Sequence, residues 1–289
     1  MITRNRKFFN QRARSAVSNE NMASNIGKES PIKLFTSVFE DAQLLAPFLQ
    51  FYARRGVDHV YMVVNEHGAP GLATQVRQAL CDAPVHMTVA RPIDRPAADM
   101  AQEMDQIRKA VVDANEYIIV ADLDEFIEYP IRLSTLVQSC RTHGFLWVKG
   151  ELLDRVTADG GIPRVIEQDI WAQFPLVGRL SRTIHRGRTR KCVLQRGDMR
   201  ITPGHHGDTK ISEVAPGCVN VHHFKWQGDL EGRLRRRIEI QKAKEQSYWQ
   251  ESQDVLEHLE RHHGRIDVRS SKVKFQMSPR QPPAPGDEP

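Results

Sequence analysis

The chain has 289 residues, enough for one large α/β domain or two small ones. Its 40% hydrophobic and 27% charged content fits a globular chain, and no apolar run reaches bilayer-spanning length. The formal charge of +5 is local: residues 1–33 carry seven Lys/Arg against Glu20 and Glu29, and the remainder holds 34 residues of each sign.

A neutral body with a basic, Asn/Ser-rich end argues against a nucleic-acid-binding protein. A disordered, solubilising tail is expected over residues 1–30, with contact to an anionic membrane surface or RNA as its other use. Residues 1–18 contain no apolar signal-peptide core, and Cys81, Cys140, Cys192 and Cys218 form no C-x-x-C. Reduced thiols and a cytoplasmic location are expected.

The globular domain is expected over residues 31–265. Residues 32–38 are a short apolar run and read as the first strand. Behind Glu40 and Asp41, the residues Leu44, Leu45, Phe48, Leu49 and Tyr52 recur at helical spacing. Pro47 either sits in the first turn or kinks that helix, and Gly56 is its stop. Residues 57–64 are the second strand, 65–71 a loop, 72–80 a helix and 85–89 a strand. After a loop over 92–96, residues 97–115 are a helix with Met100, Met104, Ile107, Ala110 and Val111 on one face. A strand from Tyr117 follows. This alternation predicts right-handed crossovers and a doubly wound, mostly parallel sheet. Downstream, residues 133–140 read as a helix and 144–148 as a strand. Residues 159–217, rich in Gly, Pro, Arg and His, read as short strands and long loops. Residues 219–226 close the region as a strand, 230–263 form one helix, and the proline-rich residues 277–289 read as disordered.

The strand from Tyr117 to Val120 runs straight into Asp122, Asp124 and Glu125. Burying an unpaired carboxylate costs several kcal/mol, so a core strand that ends this way needs compensation. On an extended backbone Asp122 and Asp124 lie on one side, where they repel unless a cation sits between them. Oxygen ligands favour magnesium, manganese or calcium over zinc, and the carboxyl end of a strand in an open α/β sheet is where ligands bind. The competing reading is a solvated acidic turn. No G-x-G-x-x-G and no G-x-x-x-x-G-K-S/T is present.

Four stretches then occur in order. Residues 40–64 close a helix with Arg55-Gly56-Val57-Asp58-His59-Val60. Asp122-Leu123-Asp124-Glu125-Phe126 follows. Asp154-Arg155-Val156-Thr157-Ala158-Asp159-Gly160 precedes Gln173-Phe174-Pro175. Finally His222-His223-Phe224-Lys225-Trp226 leads into an Arg-rich helix. Together they resemble bacterial glycosyltransferases of the GT-A fold, in the family-2-like group related to glycosyltransferase family 92. The resemblance covers residues 31–260.

It implies a transferase that uses a nucleotide-diphosphate sugar donor, a glycan or lipid-linked acceptor, and a manganese or magnesium ion that neutralises the diphosphate. By the resemblance Asp124 ligates the metal, Asp122 contacts the metal or the ribose, and a later histidine completes the site. His222 and His223 point to opposite faces of an extended chain, so one of them serves, with His223 preferred and a hydrogen-bonded core role as the competing reading. An inverting enzyme needs a carboxylate base, for which Asp154 and Glu151 are the candidates; a salt bridge to Arg155 is the other reading of Asp154. Lys191, Arg233 and Arg237 are the basic residues assigned to the remaining phosphate charge. Gly204-His205-His206-Gly207 is a further candidate loop near donor or acceptor, or a plain turn. His258, His262 and His263 have zinc-like spacing on a helix, with a solvated face favoured. A nucleotidyltransferase uses a related sheet and D-x-D but wants a Gly-rich, basic signature near the first strand, which Thr36-Ser37-Val38-Phe39-Glu40 lacks.

Overall fold

The computed structural model describes residues 31–39, 42–67, 69–80, 86–94, 100–166, 169–185, 189–206, 213–243, 245, 249–270 and 272–284. The basic stretch 1–30 lies outside the described residues. In chain order the elements are β1 (Lys33–Phe39), α1 (Leu45–Ala53), β2 (His59–Asn65), α2 (Leu72–Leu80), β3 (His86–Ile93), α3 (Met100–Val111), β4 (Tyr117–Val120), β5 (Glu125–Glu128), α4 (Leu133–His143) and β6 (Trp147–Val156). They continue with α5 (Ile170–Gln173), β7 (Leu176–Gly178), α6 (Leu180–His185), β8 (Arg190–Arg196), a 3-10 turn (Pro203–His205), β9 (Val219–His223), α7 (Leu230–Ala243), α8 (Trp249–Arg261) and β10 (Gln276–Met277).

Within the stretch expected as one domain, the chain divides into two compact units. The first takes the described residues of Met1–Glu151, Arg190–Val221 and Pro282–Pro289; the second takes Leu152–Thr189 and His222–Gln281. No helix among the described residues is long and apolar enough to cross a membrane.

The first unit carries the α/β sheet that the alternation predicts. Strands β4, β1, β2 and β3 lie side by side in that order and parallel, and β8 and the start of β6 extend the sheet antiparallel. All four residues of β4 are buried, so its run of Tyr117-Ile118-Ile119-Val120 suits a strand covered on both faces. Phe35, Val63, Ile118 and Val120 meet Ala101 and Met104 of α3 in one core cluster. Pro47 falls in the first turn of α1, where no hydrogen bond is lost. Gly56 takes the left-handed backbone, φ 80°, that ends the helix. Helix α3 stops at Val111, short of the expected Asn115. Lys33 Nζ donates to the Val111 carbonyl at 2.7 Å and pairs with Glu116 at 2.7 Å, fixing the turn that follows. Strand β3 runs on through Pro92, which an edge strand tolerates, with a register shift at Val63/Val64 of β2. The proline-rich end is held as far as Ala284, which is buried, and the buried Arg55 donates to the Pro282 carbonyl at 2.7 Å. Its composition predicts disorder; a buried guanidinium in need of an acceptor reverses that locally.

In the second unit, the later part of β6 pairs antiparallel with β7, and β7 with β10. Leu230, Leu234 and Ile238 of α7 recur at i, i+4 and i+8 and pack with Val255, Leu256 and Leu259 of α8 around Trp226. The single helix expected over 230–263 is thus two helices. Glu245 lies between them with φ 54°, outside helical geometry. Arg155 is fully buried, and its guanidinium stands 4.7 Å from the Trp171 ring.

Candidate functional site

Phe39 and Asn65 end parallel strands β1 and β2 level with each other, and Val120, the end of β4, lies level with Phe35, four residues short of that margin. Past Val120, Ala121 N still donates to the Phe35 carbonyl at 3.1 Å. The chain then leaves the strand. Glu125 N donates to the Asp122 carbonyl at 2.9 Å, so Asp122 to Glu125 is a tight turn and not the extended segment expected from the spacing. The turn is anchored from its far side. Phe126 sits edge-on to the Phe48 and Phe51 rings at 5.8 and 5.1 Å. Tyr52 Oη donates to the Glu125 carbonyl at 2.9 Å and accepts from Ile127 N at 3.3 Å. These contacts make the acidic turn part of the core.

The compensation that three carboxylates demand comes partly from Lys191. Its Nζ lies 2.6 Å from Glu125 Oε1 and 3.3 Å from Asp122 Oδ2, and it donates to the Gly204 carbonyl at 2.9 Å. Burial pulls the lysine towards neutrality, but Glu125 and Asp122 outweigh it and hold its pKa above the ordinary lysine value. His205 Nε2 lies 3.3 Å from Asp122 Oδ1. Burial raises the Asp122 carboxyl, and Lys191 and His205 overcome that, keeping it well below the ordinary carboxylate range. Glu125 is itself buried, with Oε2 accepting from Asp122 N at 3.3 Å.

The donor chemistry suits a hard divalent cation. A carboxylate oxygen of Asp124 and one of Glu125 lie within 4.8 Å of each other. Asp122, Asp124 and Glu125 all act electrostatically on Lys191. Glu125 was not among the residues the spacing singled out, although it adjoins them. His205 was legible only as part of a candidate loop. Lys191, assigned from the sequence to phosphate, instead spends its donors on Asp122, Glu125 and Gly204; an ammonium has three N–H bonds, and all three find partners here.

In the second unit, Asp154 is 1% exposed. Its Oδ1 accepts from Ser181 Oγ at 2.6 Å and Trp226 Nε1 at 3.0 Å, with His223 Nδ1 at 3.2 Å; its Oδ2 accepts from Ser181 N at 2.7 Å. Burial pushes this carboxyl up, but the bonds from His223 and Ser181 outweigh it and bring it to about 2. A carboxylate so enclosed and so acidic is a poor general base, which corrects the catalytic role read from the sequence. It is an orienting group: it holds the His223 ring through Nδ1. His222 is a core residue, 4% exposed. Its Nδ1 accepts from Arg155 Nε at 3.2 Å and its ring stands edge-on to Trp171 at 5.2 Å, so the metal role considered for it fails. Arg233 is likewise taken up locally, donating to the Gln227 carbonyl at 2.7 Å and the Lys225 carbonyl at 3.3 Å. Arg237 is an exposed residue of α7, and Glu151, partly exposed, faces Arg190 across β6 and β8 in the first unit.

No protein-family model and no curated protein sequence matches the chain. Among solved structures, it is similar to the mannosyltransferase PcManGT from Pyrobaculum calidifontis in complex with GDP-Man and Mn2+, with TM-score 0.42, 11% identity, and 87% of this chain and 77% of that chain covered. It is also similar to HddC from Yersinia pseudotuberculosis (TM-score 0.32, 7% identity, 67% and 90% covered). A UDP-glucose pyrophosphorylase complexed with UDP-glucose is a further neighbour (TM-score 0.28, 10% identity, 74% and 98% covered). These scores are all below 0.5, and the functional reading rests on the residues.

Proposed function

We propose that this chain is a glycosyltransferase that moves a sugar from a nucleotide-diphosphate sugar to a hydroxyl of a glycan or lipid-linked acceptor, with manganese or magnesium held by Asp124. The observation that carries the reading is the carboxylate-rich turn at the carboxyl end of β4, built into the core by Phe126 and Tyr52. A parallel sheet places ligands at this margin, and a diphosphate brought there needs a cation between itself and the carboxylates. A divalent ion would supply that neutralisation when the donor binds and when the diphosphate leaves. Asp122 already has one protein donor on each oxygen, which suits it to a ribose hydroxyl better than to a metal. With Asp154 enclosed, Glu151 becomes the candidate base.

A panel of nucleotide sugars, assayed with and without manganese for release of nucleoside diphosphate, tests this. Turnover should require the metal, and Asp124→Ala should abolish it while leaving the thermal midpoint close to the wild type. Equal turnover in excess chelator rejects the metal assignment, and release of pyrophosphate in place of nucleoside diphosphate moves the chain to the nucleotidyltransferases.

A further inference from the structure

His205 is held in a costly state. It is a non-glycine residue in left-handed backbone, φ 51°, and it is 5% exposed. Its Nδ1 is buried with no hydrogen-bond partner among the described residues. L-residues avoid the left-handed region, and an unsatisfied buried polar atom opposes folding. Such features persist only where surrounding structure enforces them, and they cluster at functional positions.

The enforcement is visible. Asp105 of α3 accepts from Ile201 N at 2.9 Å and pairs with Arg108 at 2.8 Å, and Arg108 in turn donates to the Gly197 carbonyl. These bonds pin residues 197–201 to α3. Beyond them, the Gly204 carbonyl accepts from Lys191 Nζ. The turn Pro203–His205 is therefore held from the chain before it and at Gly204. What the fixed turn achieves is one contact: the His205 Nε2–H reaches Asp122 Oδ1 while Lys191 takes Oδ2. A plain turn would need neither a buried imidazole nor a positive φ at that residue.

We infer that His205 is a positioning residue which, with Lys191, clamps the Asp122 carboxylate by one donor per oxygen, so that its remaining lone pairs are presented to a ribose hydroxyl of a bound nucleoside diphosphate. This rests on the proposed function and adds to it the residue that sets the carboxylate's orientation. A carboxylate pinned in this way loses little rotational freedom when the hydroxyl arrives, which is how preorganisation raises affinity.

The experiment measures binding of UDP, GDP, ADP and CDP, and of their 2′-deoxy and 3′-deoxy analogues, by calorimetry with manganese present. Wild type is compared with His205→Gln, whose amide N–H can reach as far as Nε2, and His205→Asn, which tolerates left-handed backbone but is too short. The Asn variant should lose about 10- to 100-fold in affinity for the preferred ribonucleotide, the range of one hydrogen bond to a charged group. The Gln variant should regain most of it. Wild type and the Asn variant should bind equally the analogue that lacks the contacted hydroxyl. Unchanged ribonucleotide affinity in the Asn variant overturns the inference, and so does an equal loss for ribo and deoxy forms, which marks a merely structural role. If the wild type binds none of the ribonucleotides, the proposed function falls and takes this inference with it, a result distinct from either of the others.

Discussion

Replacing Lys191 by Met removes a buried cation from the acidic turn and keeps the volume of the apolar stem. Two carboxylates lose a charged partner, but not equally, and Asp122 keeps His205. The Asp122 side chain is 40% exposed and regains hydration, whereas that of Glu125 is 3% exposed and cannot. Breaking a buried pair from one side costs about 3–5 kcal/mol, since an uncompensated charge is left inside. For a chain of this size that corresponds to a fall of about 10 °C in thermal midpoint. The pH dependence gives a second reading of the same charge. In the variant, burial without the lysine favours the protonated carboxyl, so the folded state binds more protons and stability falls as pH rises through the carboxylate range. The deficit relative to wild type should therefore be small near pH 4 and full by pH 8. Adding Glu125→Gln to Lys191→Met should recover part of the loss, because a neutral amide needs no counter-charge. Thermal and chemical denaturation at several pH values read all of this. A single variant within about 1 kcal/mol of wild type at pH 8, or a deficit that does not shrink on acidification, refutes the assignment of Lys191 as the resident counter-charge.

Asp154, brought from 3.8 to about 2 in the folded chain, contributes about 2 kcal/mol. That contribution is complete above about pH 4 and is lost as pH falls through about 2, so Asp154→Asn should flatten the acid limb of a stability–pH profile measured by denaturant titration. A Cβ added at Gly150 would lie 2.4 Å from Val193 Cγ1 and 2.7 Å from Val221 Cγ2, so Gly150→Ala should cost about 1–3 kcal/mol, read as a lowered urea midpoint.

The alternation of strand and helix through β4 was legible because each element carries its own period and its own stop. Residues 45–53 show this best, with apolar spacing, a tolerated Pro47 and a terminating Gly56 all agreeing. Strand β6 was legible only for its first part. Past Val148 the sequence pattern assigns no strand, yet Leu152, Asp154, Arg155 and Val156 are buried. Their partners come from residues 176–181 and 223–226, and sequence spacing does not carry that information. The helix break near Glu245 has no Gly or Pro to announce it. Strand alternation does not describe the D-x-D segment: Asp122 to Glu125 is a tight turn, and Asp122 and Glu125 meet at Lys191.

The two buried carboxylates show why a motif can mark a position without fixing its role. Glu125 faces a cation, Lys191, which stays charged. Such a pairing is electrostatically strong, and the same lysine also feels Asp122 and Asp124. Asp154 instead collects donors from Ser181 and Trp226, with His223 beside it, on both oxygens. That set saturates the carboxylate and lowers its affinity for a proton. Both solutions satisfy the requirement that a buried charge be compensated, one by a shared cation and the other by neutral donors and an imidazole. The acidity of a residue in the sequence therefore predicts that compensation exists, and the identity of the compensating group decides whether the residue binds, orients or is simply buried.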